Sequence, residues 1–152
     1  MSNSPDITIY PFTPADLDAV LEAERVCFAH PWTRDDFEAA LSVRGYRGFV
    51  AREDGKLAAY AVVMVLADEA TVANVAVLPE YRRRGIAKAL LTASLDSCRE
   101  DGAAVCFLEV RESNGAARKL YESFGFAEIA VRRGYYDSPV EDAIIMKKEL
   151  GE

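Results

Sequence analysis

The run Val105-Cys106-Phe107-Leu108 constrains this chain most. A short, wholly apolar segment between Gly102 and the charged Glu109 reads as a strand covered on both faces, and such a strand needs packed layers above and below it. The flanking segments are built to supply them. Upstream, Gly85 to Glu100 places Ile86, Leu90, Leu91 and Leu95 along one helical face, and Gly102 ends the helix. Downstream, Asn114 caps a helix whose apolar face is Ala117, Leu120, Tyr121 and Phe124, with Gly125 as its C′ residue.

The rest of the chain alternates in the same way. Ile7–Tyr10 reads as a first strand, and Pro14 to Phe28 carries Leu17, Val20, Leu21, Glu24 and Phe28 at helical spacing behind the cap Thr13. His30-Pro31-Trp32 breaks that helix, and Thr33 with Asp36 three residues on opens a short second one through Leu41. Gly48–Arg52 and Leu57–Leu66 are strands around Glu53-Asp54-Gly55-Lys56, a hairpin turn in which Asp-Gly supplies positive φ. Further strands fall near Glu69–Val77, Ala127–Arg133 and Asp142–Lys148. The order β-α-α-β-β-β-α-β-α-β-β predicts an α/β (α+β) fold with a mixed central sheet of about seven strands flanked by about four helices. At 152 residues, with no repeat and no linker, residues 1–152 are expected to form a single domain.

Composition excludes several function classes. With 51% hydrophobic and 28% charged residues the chain is not disordered. The longest apolar run, Leu57–Leu66, is half a membrane span, and Met1–Asp6 is polar, so a soluble cytoplasmic protein without a signal segment is expected. Cys27, Cys98 and Cys106 form no Cys-x-x-Cys pair, and His30 is the sole histidine; a zinc site, a disulfide framework and a His-rich metal site are not expected. A formal charge of −7 disfavours nucleic acid and suits a basic partner, with Glu24, Asp35, Asp36, Glu69, Glu141 and Asp142 as candidate attracting groups.

Against that acidic background, Arg82-Arg83-Arg84 stands out. The stretch Asn74 to Leu91 reads as strand, tight basic turn and helix, with Gly85 and Ala87 keeping the turn small. The helix start offers unpaired N–H groups and a partial positive charge, a suitable end for a phosphate. No Gly-Lys-Ser/Thr follows, and Gly-x-Gly-x-x-Gly is absent, so neither a Walker loop nor a dinucleotide fingerprint fits.

The pattern Arg82-x-x-Gly85-x-Ala87 after an apolar strand resembles the acetyl-coenzyme-A signature of the GNAT superfamily of N-acetyltransferases. The resemblance implies acetyl-CoA as co-substrate, no metal, and the pyrophosphate on backbone amides of about Arg83, Arg84, Gly85, Ile86, Ala87 and Lys88. It further implies that the pantetheine arm lies beside Val75, Ala76 and Val77, where a bulge parts this strand from the next.

A second constellation runs from Leu108-Glu109-Val110-Arg111-Glu112-Ser113-Asn114 to Leu120-Tyr121-Glu122-Ser123-Phe124-Gly125-Phe126. Glu109 ends the most apolar strand and is expected to be partly desolvated, as suits a general base; Tyr121, two helical turns past Asn114, can donate a proton to a thiolate. Together with Arg132 to Tyr136, Glu141 to Met146 and Phe28 to Thr33, this constellation resembles the branch of the superfamily that acetylates the N-terminal alanine of a small-subunit ribosomal protein. In that branch Glu109 would be the proton acceptor, Tyr121 the proton donor and Asn114 an acetyl-CoA contact. The segment Asp137-Ser138-Pro139-Val140 is shorter than the loop expected there, which leaves acceptor choice open. A GNAT enzyme for another protein or small amine, a non-catalytic acetyl-CoA sensor and a nucleotide-phosphate enzyme remain as rivals. Cys106 reads as a small core residue, Cys98 as a mid-helix thiol that could mimic a ping-pong nucleophile but has no general base in view, His30 as packing or substrate-loop filling, and Arg132 and Arg133 as either phosphate contacts or solvated strand positions.

Overall fold

The computed structural model describes residues 7–137 and 139–151, so Met1–Asp6, Ser138 of the Asp137–Val140 link and Glu152 lie outside the described residues. One seven-stranded sheet organises the chain: β1 (Ile7–Pro11), β2 (Tyr46–Glu53), β3 (Lys56–Leu66), β4 (Glu69–Val77), β5 (Val105–Arg111), β6 (Ala127–Tyr136) and β7 (Glu141–Glu149), in the order β1-β2-β3-β4-β5-β7-β6. Only the β4–β5 pair is parallel; the other neighbours are antiparallel. The four α-helices of the described residues are α1 (Leu17–Cys27), α2 (Arg34–Ser42), α3 (Ile86–Glu100) and α4 (Gly115–Ser123). The expected order and fold class hold.

Local chemistry sets the element ends. Thr33 accepts from the Asp36 N–H while the Asp36 carboxylate accepts from the Thr33 N–H, a complete capping box at the start of α2. Asp54 and Gly55 take φ of 52° and 78°, the left-handed pair a two-residue hairpin turn requires. Asn114 Oδ1 accepts from the Ala117 N–H at 3.1 Å and starts α4.

Helices α3 and α4 cover one sheet face. Leu91, Leu95, Tyr121 and Phe126 pack there on Cys106, Leu108, Val110, Ile144 and Met146, while Ile86 and Leu90 pack on Ala59 and Ala61. On the other face, α1 and α2 bury Val20, Leu21 and Phe37 against Val50, Tyr60, Val62 and Ala76. This second layer stops at β4. Strand β5 is therefore covered on one face only: Cys106, Leu108 and Val110 are buried, Val105, Phe107 and Arg111 are half-buried, and Glu109 is exposed. The expectation of a strand covered on both faces is corrected here. Its apolar run packs on α3 and α4, but no helix lies over its other side.

Candidate active site

Strands β4 and β5 pair only over Glu69–Thr71 and Val105–Phe107. Beyond that they part. The cause lies in β4: along β3 the register runs Val62↔Asn74 and then Val63↔Val72, which leaves Ala73 as an extra, bulged residue. The bulge expected from the resemblance is present. It opens a cleft of about 580 Å3 whose lining includes Ala73, Val75, Glu109, Asn114 and Tyr121.

The ladder also fixes where β4 points its polar groups. The Leu78 N–H donates to the Ala58 carbonyl at 2.9 Å, so Leu78 and Ala58 form a hydrogen-bonded pair. Such pairs alternate in antiparallel strands. Hence Val75 and Val77 turn their N–H and C=O away from β3, toward the gap, whereas Ala76 bonds to β3. The Val77 carbonyl is taken by Arg82 Nε at 2.9 Å.

Two sequence-predicted groups meet in this cleft from opposite sheet faces. Tyr121, on α4, belongs to the core face shared with Leu108 and Val110; Glu109, between those two residues, points the other way. Burial, with the Tyr136 phenol and the Cys106 thiol nearby, pushes the Tyr121 hydroxyl up to about 12, so it is fully protonated near neutrality. Glu109 is less desolvated than expected: its side chain is 37% exposed, pairs with Arg132 at 3.5 Å and accepts from the Tyr135 phenol. Arg132 therefore pairs with a carboxylate, as does Arg133, with Asp142 at 3.7 Å.

The turn before α3 carries two left-handed residues, Arg83 at φ 64° and Gly85 at φ 78°. Such a chain reversal gathers successive backbone N–H groups, here those leading into Ile86, Ala87 and Lys88, at the positive end of a 15-residue helix. The arginine side chains are not equivalent. Arg84 is bound by both Glu53 oxygens, at 3.0 and 3.1 Å, and lies over the Tyr81 ring. Arg82 is turned to Val77 and the Cys27 sulfur. Arg83 makes no ion pair among the described residues.

The remaining candidates resolve simply. Burial pushes the Cys98 thiol up to about 11 and the Cys106 thiol up to about 12, so both are neutral core groups. Among the described residues no cluster of three His, Cys, Asp or Glu could hold a metal ion, and no helix is long and apolar enough to cross a membrane. His30 lines the cleft together with Phe28 and Ala29. Two of the attracting acids are engaged by Arg111 and Arg133, and Glu24 is 1% exposed; it faces inward and is removed from the candidate surface. Sequence reasoning also missed the clamp of Arg111, which bonds Glu141 at 3.2 Å and lies over the Tyr136 ring at 4.2 Å.

A mixed sheet split beside a backbone cradle, with a carboxylate and a phenol lining the split, is the candidate site, and its geometry suits acyl transfer. The sequence agrees: it matches the acetyltransferase (GNAT) family over residues 17–126, and the chain belongs to that family. Within it, the chain is 43% identical over 141 residues to ribosomal protein bS18-alanine N-acetyltransferase of Escherichia coli strain K12, covering 91% of this chain and 95% of that protein. The crystal structure of the ribosomal-protein-S18-alanine N-acetyltransferase from Escherichia coli superposes with a TM-score of 0.89 at 40% identity, covering 96% of this chain and 95% of that one. Arabidopsis thaliana NAA60 in complex with acetyl-CoA shares the fold at a TM-score of 0.85 and 19% identity, over 94% of this chain and 98% of that one.

Proposed function

We propose that this chain, acting as a single catalytic domain in the cytoplasm, transfers acetyl from acetyl-CoA to the N-terminal alanine amine of a small-subunit ribosomal protein. The observation that carries the reading is the cleft itself: Glu109 and Tyr121 reach it from opposite sheet faces, beside the outward-turned backbone of Val75 and Val77. The names of the similar proteins supply the acceptor.

In this reading the coenzyme diphosphate sits on the N–H groups from Arg83 to Lys88, with Asn114 a further coenzyme contact. The pantetheine amides extend along Val75 to Val77 as an added strand. The thioester then lies where the sheet divides. An α-ammonium has a pKa near 7.7–8.0, so exposing its lone pair at neutral pH costs roughly 1 kcal/mol; for lysine the cost is roughly 4–5 kcal/mol. A single carboxylate suffices for the first. Glu109 accepts that proton, the outward-turned N–H of Val75, which lines the cleft, meets the tetrahedral oxyanion, and Tyr121 donates to the departing sulfur.

The test is acetylation of peptides beginning with Ala, read by mass spectrometry, with polyamines and ATP as controls. Turnover of small amines without peptide turnover, or binding of acetyl-CoA without any transfer, overturns the reading. Glu109→Gln is expected to lower kcat/KM at least about tenfold and leave acetyl-CoA affinity within about twofold.

A further inference from the structure

Glu24 is a carboxylate at the centre of the apolar layer under α1, and no step of the proposed transfer uses it. Three donors hold it. Its Oε2 accepts from the Trp32 backbone N–H at 2.9 Å, and its Oε1 accepts from Asn74 Nδ2 at 3.1 Å and from the Tyr60 phenol. No lysine or arginine pairs with it among the described residues.

Such a placement is expensive. Removing a carboxylate from water costs several kcal/mol, and with no cation beside it only the three donors offset that cost. Stability alone does not account for it, but the origin of the donors does. Trp32 ends the loop whose Phe28, Ala29 and His30 line one side of the cleft. Asn74 follows the bulged Ala73, and both line the cleft from β4. Tyr60 lies on β3 and anchors the carboxylate from below, its ring stacked edge-on against Phe37 of α2. One oxygen thus holds the loop and the other holds the bulged strand.

We propose that Glu24 is a positioning residue that sets the separation between the loop 28–32, which faces the acceptor amine, and the bulged stretch of β4 that faces the thioester. The inference rests on the proposed acetyl transfer and deepens it. The loop lies on the same sheet face as Glu109, whereas the cradle at α3 covers the opposite face. Without Glu24 the loop loses its anchor, whereas Asn74 stays in the ladder opposite Val62 and the cradle at α3 is untouched.

The test compares Glu24→Leu, Glu24→Gln and Tyr60→Phe with the wild-type chain, using acetyl-CoA and a peptide beginning with Ala. Glu24→Leu is expected to raise the peptide KM roughly tenfold while acetyl-CoA Kd stays within about twofold. Glu24→Gln restores the peptide KM to within about threefold, because its amide oxygen can take the Trp32 N–H while its nitrogen faces the Tyr60 oxygen and a flipped Asn74. Tyr60→Phe, which keeps the carboxylate and most of the packing, gives a rise of about two- to fivefold and tests the clamp if the leucine variant does not fold. Trp32 is the only tryptophan, so its acrylamide quenching reports the loop without any turnover, and it should increase in Glu24→Leu. An unchanged peptide kcat/KM, an equal loss of donor and acceptor affinity, or wild-type quenching in Glu24→Leu overturns the proposal. If the wild-type chain acetylates no peptide, the acetyl-transfer reading fails, and the quenching result still decides whether Glu24 holds the loop.

Discussion

Tyr121→Phe removes one oxygen and leaves the ring in place, edge-on to Phe126 at 5.9 Å, so it separates chemistry from packing. The phenol titrates at about 12, against about 8.5 for a thiol, a gap of about 3.5 units or roughly 5 kcal/mol. Complete proton transfer to a free thiolate is uphill by that amount. The phenol therefore acts chiefly as a hydrogen-bond donor to sulfur as charge develops, and a thiolate is already a fair leaving group. General-acid contributions span about 10²–10⁴-fold, and this mismatch places Tyr121 at the lower end, with kcat falling about 10²-fold. The raised value has a second consequence: no decline of wild-type kcat below about pH 10 arises from Tyr121 ionisation. The assay is coenzyme thiol release at saturating acetyl-CoA and peptide, with calorimetry of coenzyme binding alongside. A kcat within about threefold of wild type, or a loss explained by weaker coenzyme binding, would refute the donor role.

Two further outcomes follow from the cradle and the core. Gly85→Ala places its methyl in open space, so its stability cost is the left-handed backbone alone, about 1 kcal/mol, seen as a Tm lower by about 2–4 °C; acetyl-CoA Kd should rise about tenfold by calorimetry, and an unchanged Kd argues against the cradle. Alkali should destabilise the fold: burial holds Cys98 and Cys106 protonated to about 11 and 12 in the folded chain, whereas the unfolded thiols ionise near 9.0. The unfolded state then binds fewer protons above that pH, so stability falls as pH rises, by about 3 kcal/mol at pH 10. Urea midpoints at pH 7.5 and pH 10 under reducing conditions measure this, and equal midpoints contradict the assigned burial.

What the sequence made legible was short-range. Thr33 with Asp36, Asp54-Gly55, and Asn114 with Gly125 each declare a cap or turn through a few neighbouring atoms, and each is found as expected. The motif residues were legible for the same reason, since Glu109, Asn114 and Tyr121 lie on one strand–turn–helix unit. The Ala73 bulge was not, because no residue type announces an extra position in a ladder; only the partner strand reveals it. The open face of β5 was also hidden, since an apolar run does not say how far a remote helix layer extends. Glu24 is instructive. It falls on the helical repeat of Leu17, Val20, Leu21 and Phe28, which signals an inward position, yet its charge argued for the surface. The periodicity was the better guide, and the donors from Trp32, Tyr60 and Asn74 explain how a charged group can obey it.

The extra residue at position 73 has a consequence for how such chains can vary. Removing that residue would make the ladder regular: Val72 and Asn74 become successive, still opposite Val63 and Val62, and Glu69–Val72 keep their sheet faces. Ala70 and Val72 would stay in the interior, and what would be lost is the divergence from β5 that opens the cleft. A chain lacking Ala73 should therefore fold yet lose the cleft and the proposed transfer, whereas conservative exchanges at Ala73 should keep both. What is preserved at that point is a count of residues rather than a particular side chain.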